Sequence, residues 1–540
     1  LVFRHCAKKI FHLSKYILNH NKYFKMVRTV LITTSGIGDR LKYFTKNTNK
    51  SLVTVGDKYA ICYIIDNYDN DTEFIVTIGY YGNYVKEFLL LAYPEKHFTF
   101  VEIDIFYGPG SSLGYSMIKS MPFLQKPFIF HCCDAIVLDK IEIKDNDKNI
   151  LFVYPYKNSD QYTNIKGANN KVIEINSKKH LDFDYVYSGI AYIYNYSMFW
   201  NNLKQCYQSD ANNSSLSDVD SFKLMISEVE INYSVLNNWY DTGNIESYLE
   251  LKKEIKSNYC VIEKNYESLC FLGNKVIKFI NDKDINNKRI IRGNYLYPLT
   301  PKILGHSDNF ISMEYVNGTL MSNNYEDGFI YNLLEWSKEN LWNEQVINKE
   351  FIICCKNFYI NKTLDRLSKL TLLKNEKNII NGLNCKNIIN FIKQIPEETF
   401  TNEMFTKFHG DFILDNIIKT GDSYKLLDYR HEFDNQLYYG DIYYDLAKLR
   451  HNLFFNHDNI SNNLFSIEYK DNEVIVDLKC NYFLIQQLND YDKFVIENNY
   501  DLNKIKKLTA IIWLNMSPLY DGKLSEFLFY FGKYNLFVSI

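Results

Sequence analysis

From Val27 to about Glu254, short and almost wholly apolar runs alternate with stretches of helical period. The runs Thr29–Thr33, Phe74–Ile78, Thr99–Ile103, Phe128–His131, Ile150–Tyr154 and Ala191–Tyr194 read as strands. Strands separated by helices predict an α/β domain with a mixed, mostly parallel sheet. A helix over Ile245–Glu254 closes it, and the polar Lys256–Asn258 makes the joint. Beyond it the texture changes. Leu269–Leu272 and Lys275–Ile280 flank Gly273-Asn274, a two-residue hairpin signal, and Asn309–Tyr315 reads as a further strand. After Asn324 the period becomes helical, as in Ile330–Leu341. The expected domains are therefore 26–255 and 256–540, the second with a small β-rich lobe over about 259–320 and a helical lobe over 321–540.

A chain of 540 residues suits several domains, and 46% hydrophobic residues suffice for real cores. A net charge of −3 gives no electrostatic footprint for nucleic acid. Tyr (45) and Phe (37) are abundant alongside Asn, Ile and Lys, the mark of an AT-rich coding bias, so aromatic clusters are not read as sites. The 11 cysteines show no C-x-x-C pairing, which predicts buried free thiols in a reducing, cytoplasmic setting. No apolar run approaches the ~20 residues of a membrane span. Residues 1–25 carry Arg4, Lys8, Lys9, Lys15, Lys22 and Lys25 without an acid, and read as a basic leader or disordered arm.

Two stretches carry chemistry. In "FHGDFILDNIIKTGDSYKLLDYR" (408–430), two short β-type runs flank a turn-rich Thr420–Tyr424. An antiparallel hairpin there brings Asn416 and Asp428 to one open end, with Asp411 in the loop before. Hard oxygens so gathered suit Mg²⁺ carrying a nucleotide's phosphates. In the first half, "VLITTSGIGDRLKYFTKNTNK" (30–50) is a strand, a Gly-rich turn and a basic segment. Gly36 and Gly38 let backbone N–H groups approach phosphate oxygens, and Arg40 and Lys50 supply positive charge. "GPGSSLGYS" (108–116) is a second small-residue loop. Asp134 follows a buried strand, where α/β sheets place ligands, and "WYDTG" (239–243) offers a second acid, Asp241.

"HGDFILDN", "LLDYR" and "YGDIYYDLAKL" (439–449) resemble the aminoglycoside phosphotransferase and choline kinase superfamily. The resemblance runs in pattern over about 260–540 and implies a two-lobed, protein-kinase-like α+β domain. By it Asp411 is the catalytic base, Asn416 and Asp428 hold Mg²⁺, and His409 and Asp445 brace the loop. It also asks for an ATP-binding lysine in the small lobe, filled by Lys278 with Lys275 as runner-up. That lysine's acidic partner is Asp282, Asp284 or a different element, or the pairing is missing. "DYRHEF" lacks the acid that follows the metal Asp in choline kinases.

The first half, over 28–255, resembles the sugar-nucleotide pyrophosphorylase and cytidylyltransferase superfamily, through "G-x-G-x-R…K", the small-residue loop, a metal Asp, "S-G-I" and "W-x-D-x-G". The likeness implies a Rossmann-like nucleotidyltransferase domain. Gly36, Gly38, Arg40 and Lys50 then bind triphosphate, Gly110, Ser111 and Ser112 lie near the base, and Asp134 and Asp241 bind Mg²⁺. Asp39 stands where these enzymes have Ser or Thr, and Ser51 where they have Pro.

The two resemblances together imply a bifunctional enzyme. One half phosphorylates a small alcohol (a sugar, choline or similar) with ATP. The other couples the product to a second NTP, CTP by preference, in surface-glycan or lipid-headgroup precursor synthesis. The competing readings are a non-catalytic nucleotide-binding scaffold, and a glycosyltransferase-like domain fused to the kinase-like one.

Overall fold

A computed structural model of the chain describes residues 29–143, 147–156, 160–257, 266–324, 326–347, 349–399 and 404–539. The basic arm 1–25 lies outside the described residues. The chain divides into two compact units. One runs to Asn281 and includes Ser307–Ser312; the other comprises Asp282–His306 and Met313–Ile540. The hairpin Glu267–Leu272/Lys275–Ile280 thus groups with the first unit.

The first unit is built on one nine-stranded sheet. From one edge its strands are His97–Glu102, Glu73–Ile78, Thr29–Thr33, Phe128–Cys132, Tyr185–Ile193, Asn149–Tyr154, Ile231–Val235, Lys171–Asn176 and Asn164–Ala168. Thr29–Thr33 pairs in parallel with the strands on both sides, and all five of its residues are buried. Such a strand must be apolar on both faces. Val30 and Ile32 enter one core with Phe74, Val76 and Ile129, whereas Leu31 enters the other with Ile75, Phe128 and Phe130.

The sheet is mixed, but less parallel than the sequence pattern suggests. Tyr185–Ile193 runs antiparallel to both its neighbours, and three strands at the far edge went unread. Only Val172 of Lys171–Asn176 is buried, so that strand lacks the apolar run that marked the others. A register shift between Tyr187 and Ile190 brackets Gly189, whose φ of 81° is left-handed.

The second unit is mostly helical. Helices Lys283–Leu296, Phe329–Asn340, Ile442–Phe454, Tyr482–Glu497, Leu502–Met516 and Gly522–Val538 are its longest. They enclose a core that includes Phe408, Phe412, Leu446, Tyr491 and Trp513. The expected hairpin is present as Ile417–Thr420 and Ser423–Leu426, with Ile417 opposite Leu426 and Gly421 (φ 63°) in the turn. Six described cysteines (Cys62, Cys133, Cys270, Cys354, Cys355, Cys385) are buried free thiols, and Cys132, Cys206 and Cys480 are half-buried.

Phe130, fully buried on the strand that leads to Asp134, anchors the first core. Phe130→Ala should cost about 3–5 kcal/mol and lower the first unit's melting temperature, read by circular dichroism.

Candidate functional site

In the first unit, the loop Ser35–Gly38 leaves the buried strand Thr29–Thr33 at its C-terminal end, where parallel sheets present ligands. The loop is held from two sides. Ser35 Oγ lies 2.9 Å from Ser116 Oγ on the helix Leu113–Ser120, and a Cβ on Gly79 would come within 2.6 Å of the Ser35 carbonyl. Gly38 has φ 75° and packs on the Lys50 stem, where a Cβ would stand 3.0 Å from Lys50 Cβ. A side chain at Gly36 would meet nothing within 4 Å, so that position borders open space. Asp39 is exposed.

Lys50 is positioned by a residue that the motif reading passed over. Asn49 is fully buried; its Nδ2 donates to the Thr34 and Tyr80 carbonyls, and its Oδ1 accepts from Ser51 N and Oγ. This fixes the turn Lys50–Leu52 against the strand end and gives Ser51 a role that Pro could not fill.

Asp134 and Asp241 are brought together by a short antiparallel ladder, Ala135–Val137 with Trp239–Asp241, in which Asp241 faces Ala135. The ladder is extended by Thr242 N, which donates to the Asp134 carbonyl at 2.8 Å. Trp239 Nε1 donates to the Ser188 carbonyl, joining "W-x-D-x-G" to "S-G-I". A Cβ at Gly243 would sit 2.8 Å from Asp134 Oδ2, 2.9 Å from Asp241 Oδ1 and 3.1 Å from Arg40 Nη2. Four of the expected residues thus share one focus, since Lys50 Nζ reaches Asp134 Oδ2 at 3.2 Å. Asp241 Oδ1 accepts from Gly243 N, and Oδ2 from Tyr162 Oη and Asn244 Nδ2.

Charge follows geometry here. Burial disfavours ionised Asp134, but Lys50, a bond from Cys132 Sγ and Arg40 outweigh it and hold its pKa below the usual carboxylate range. Asp241 is pushed the other way, first by burial and then by the Asp134 charge. Burial also opposes the charge on Lys50, yet Asp134 raises its pKa well above the ordinary lysine value. Two hard-oxygen carboxylates that repel each other suit a divalent cation. Asp134 and Asp241 would hold Mg²⁺, which when bound draws charge from a phosphate oxygen. Gly110 (φ 85°), Ser111 and Ser112 form the loop before the helix Leu113–Ser120. Ser111 Oγ donates to the Gly108 carbonyl, and Ser112 caps the helix through Tyr115 N. Lys278 lies in the first unit and pairs with Glu267 on the neighbouring strand of the hairpin at 3.1 Å.

In the second unit, Asp411 and Asn416 bond directly, and Asp428 lies close enough for its charge to act on Asp411. Asn416 Nδ2 donates to the Asp411 carbonyl at 3.0 Å and to Asp411 Oδ2 at 3.2 Å, and Leu427 N donates to the Asn416 carbonyl. The Asn416 amide nitrogen is turned toward Asp411, so the side-chain oxygen of Asn416 is the atom to offer a cation. Asp445, fully buried, accepts from His409 N, Gly410 N and Trp342 Nε1. Burial nonetheless pushes its pKa up to about 6. His409 Nε2 lies 2.7 Å from the Leu427 carbonyl, and burial takes its pKa down to about 4, so the ring is neutral at pH 7 and donates that bond.

Two cations escaped the motif reading. Lys448, one turn beyond Asp445 on the same helix face, places Nζ 2.7 Å from Asp411 Oδ1. Arg289 donates to Asp428 Oδ1 at 2.6 Å. Burial works against ionised Asp411, and Lys448 overcomes it, leaving the pKa below its usual value.

Residues 131–258 match the nucleotidyl transferase family model, a span that contains Asp134, Gly189 and Asp241 but not the loop Gly36–Lys50. These residues carry a nucleotidyltransferase domain. Among solved structures, the chain resembles the CTP:phosphocholine cytidylyltransferase from Streptococcus pneumoniae, at 19% identity over 43% of this chain and 100% of that one, TM-score 0.37. It also resembles a UDP-glucose pyrophosphorylase complexed with UDP-glucose, at 15% identity over 42% and 98%, TM-score 0.36. A third is the inositol-1-phosphate CTP transferase from T. maritima, at 17% identity over 44% and 98%, TM-score 0.35. No curated protein matches the chain.

Gly243 is the position on which Asp134, Asp241 and Arg40 converge. Gly243→Ala should leave the melting temperature nearly unchanged, because the atoms it meets are side-chain ends, and should weaken Mn²⁺ binding roughly 10- to 100-fold by electron paramagnetic resonance.

Proposed function

We propose that the first unit is an Mg²⁺-dependent nucleotidyltransferase and the second an ATP-dependent alcohol phosphotransferase, acting in sequence. In the second unit, an alcohol oxygen forms a bond to the γ-phosphorus of ATP, the β–γ bridge breaks, ADP leaves, and the hydroxyl proton passes to Asp411. Asn416 and Asp428 would hold Mg²⁺ there, which when bound would draw charge from the transferring phosphate. In the first unit, an oxygen of the new phosphate attacks the α-phosphorus of an NTP and pyrophosphate departs. Arg40 and Lys50 neutralise the leaving group, and Gly36 and Gly38 admit the phosphates to the backbone. CTP is the favoured nucleotide, on the resemblance to small cytidylyltransferases, with Gly110, Ser111 and Ser112 toward its base. The product class is an NDP-activated precursor.

The convergence of Asp134, Asp241 and Arg40 on Gly243 carries the nucleotidyltransferase reading. It also favours catalysis over a passive scaffold, since repelling carboxylates beside two cations are costly to keep without a cation to use them. The family match over 131–258 supports a nucleotidyltransferase over a glycosyltransferase. The reading is tested by pyrophosphate release from each of the four NTPs with phosphorylated alcohols, with Asp134→Ala as control. One NTP should support release, and the variant should lose at least about 10²-fold. Release that is equal in wild type and variant would overturn it.

For the second unit, Asp411→Ala should reduce γ-phosphate transfer by roughly 10²-fold or more. Lys448 holds the Asp411 pKa down, so Lys448→Met lets Asp411 take up a proton at higher pH. The acid limb of kcat/KM for transfer should therefore move toward neutrality, as measured by a pH–rate profile.

A further inference from the structure

The two oxygens of Asp411 face different chemistry. Oδ2 accepts from Asn416, beside Asp428, whereas Oδ1 meets Lys448. Beyond Lys448 stands a group of cations. Arg430 packs its stem on the catalytic loop, since a Cβ at Gly410 would fall 2.5 Å from Arg430 Cβ. Its guanidinium lies 4.8 Å from the centre of the Phe358 ring, and Lys362 Nζ lies 4.0 Å from the same centre. Arg366 follows Lys362 by one helical turn, on the helix Lys362–Leu367.

Lys362 is carried by an irregularity. The helix from Glu350 to Leu367 widens into a π-turn over Lys356–Asn361, a distortion common at functional sites. Among the described residues, no ion pair joins Lys362, Arg366 or Arg430 to a carboxylate. The two arginines donate to backbone carbonyls, Arg430 Nε to Glu432 and Arg366 Nη1 to Asn515. The acid nearest in effect, Asp434, already accepts from Asn357. Burial and then the surrounding cations (Arg430, Arg366, Lys448) take the Lys362 pKa down to about 6. Like charges crowded together without an anion are unfavourable, and a ligand bearing negative charge relieves them.

We propose that the acceptor of the second unit is an anionic alcohol, whose carboxylate or phosphate is held by Lys362, Arg366 and Arg430 while its hydroxyl meets Asp411 Oδ1. This rests on the phosphotransferase reading and narrows its substrate class. A cationic alcohol such as choline is repelled from this face. The phosphates of ATP are served by the residues on the Oδ2 side. The reaction balances as for any alcohol: the acceptor oxygen gains the γ-phosphoryl group, ADP departs and Asp411 receives the proton.

The test is calorimetric binding to the full chain with Mg²⁺ and a non-hydrolysable ATP analogue. The probes are anionic alcohols (D-glycerate, glycerol 3-phosphate, glucose 6-phosphate), the neutral glycerol, and choline. At least one anionic probe should bind roughly tenfold or more tighter than glycerol and choline. Lys362→Gln should abolish that preference, and Lys362→Arg should retain it. Choline or glycerol binding as tightly as every anionic probe, no anionic probe binding, or a preference intact in Lys362→Gln would overturn the proposal. So would a Lys362→Gln effect confined to affinity for the ATP analogue, which would assign the cluster to the γ-phosphate. The parent reading is tested apart, by γ-phosphate transfer in wild type and Asp411→Asn. Anion preference without Asp411-dependent transfer would keep the pocket and discard the phosphotransferase.

Discussion

Repulsion between two carboxylates, held close by a ladder of backbone hydrogen bonds, is the constraint around which the first unit is arranged. The ladder Ala135–Val137/Trp239–Asp241 sets Asp134 and Asp241 side by side. Their charges must be balanced from outside, and the protein does so unequally. Asp134 has Lys50 and Arg40 and stays ionised, while at Asp241 burial and the Asp134 charge outweigh Arg40 and the neutral donors and raise the pKa. That asymmetry makes a cation the natural third party. The nine-stranded sheet serves this arrangement by ending its buried central strands at the same edge as the Gly-rich loop.

The second unit meets a related problem differently. Its Asp411 is shared between an amide on one oxygen and an ammonium on the other. The loop that presents it is braced by a carboxylate, Asp445, so deeply buried that three donors do not restore its ordinary pKa. One helix, Ile442–Phe454, supplies both the brace and Lys448. The loop's shape and the charge beside Asp411 therefore depend on the same element.

Much of this was legible in the sequence, because it is local. Continuous apolar runs gave the central strands, since a strand covered on both faces must be apolar throughout. Asn416 and Asp428 could be placed at one open end because an antiparallel hairpin fixes which ends meet, with Asp411 in the loop before. What stayed hidden depends on distance along the chain or on exposure. Lys448 and Arg289 reach their carboxylates from helices far away in sequence, and a lysine on a helix carries no mark of its partner. Asn49 acts through backbone carbonyls, which no motif records, though its place beside Lys50 was a usable signal. Lys171–Asn176 and Asn164–Ala168 are half-exposed strands at the far end of the sheet, too polar to stand out. The reversal at Tyr185–Ile193 leaves no trace in periodicity, because a strand alternates alike in either direction.

The central claim is that Asp134 and Asp241 together hold a divalent cation for a bound nucleoside triphosphate. Anomalous diffraction from crystals grown with Mn²⁺ and a non-hydrolysable CTP analogue tests it most directly. The account predicts a manganese peak in contact with both carboxylates and with a phosphate oxygen. Density for the nucleotide without manganese at those two residues, or manganese bound only elsewhere, would contradict it.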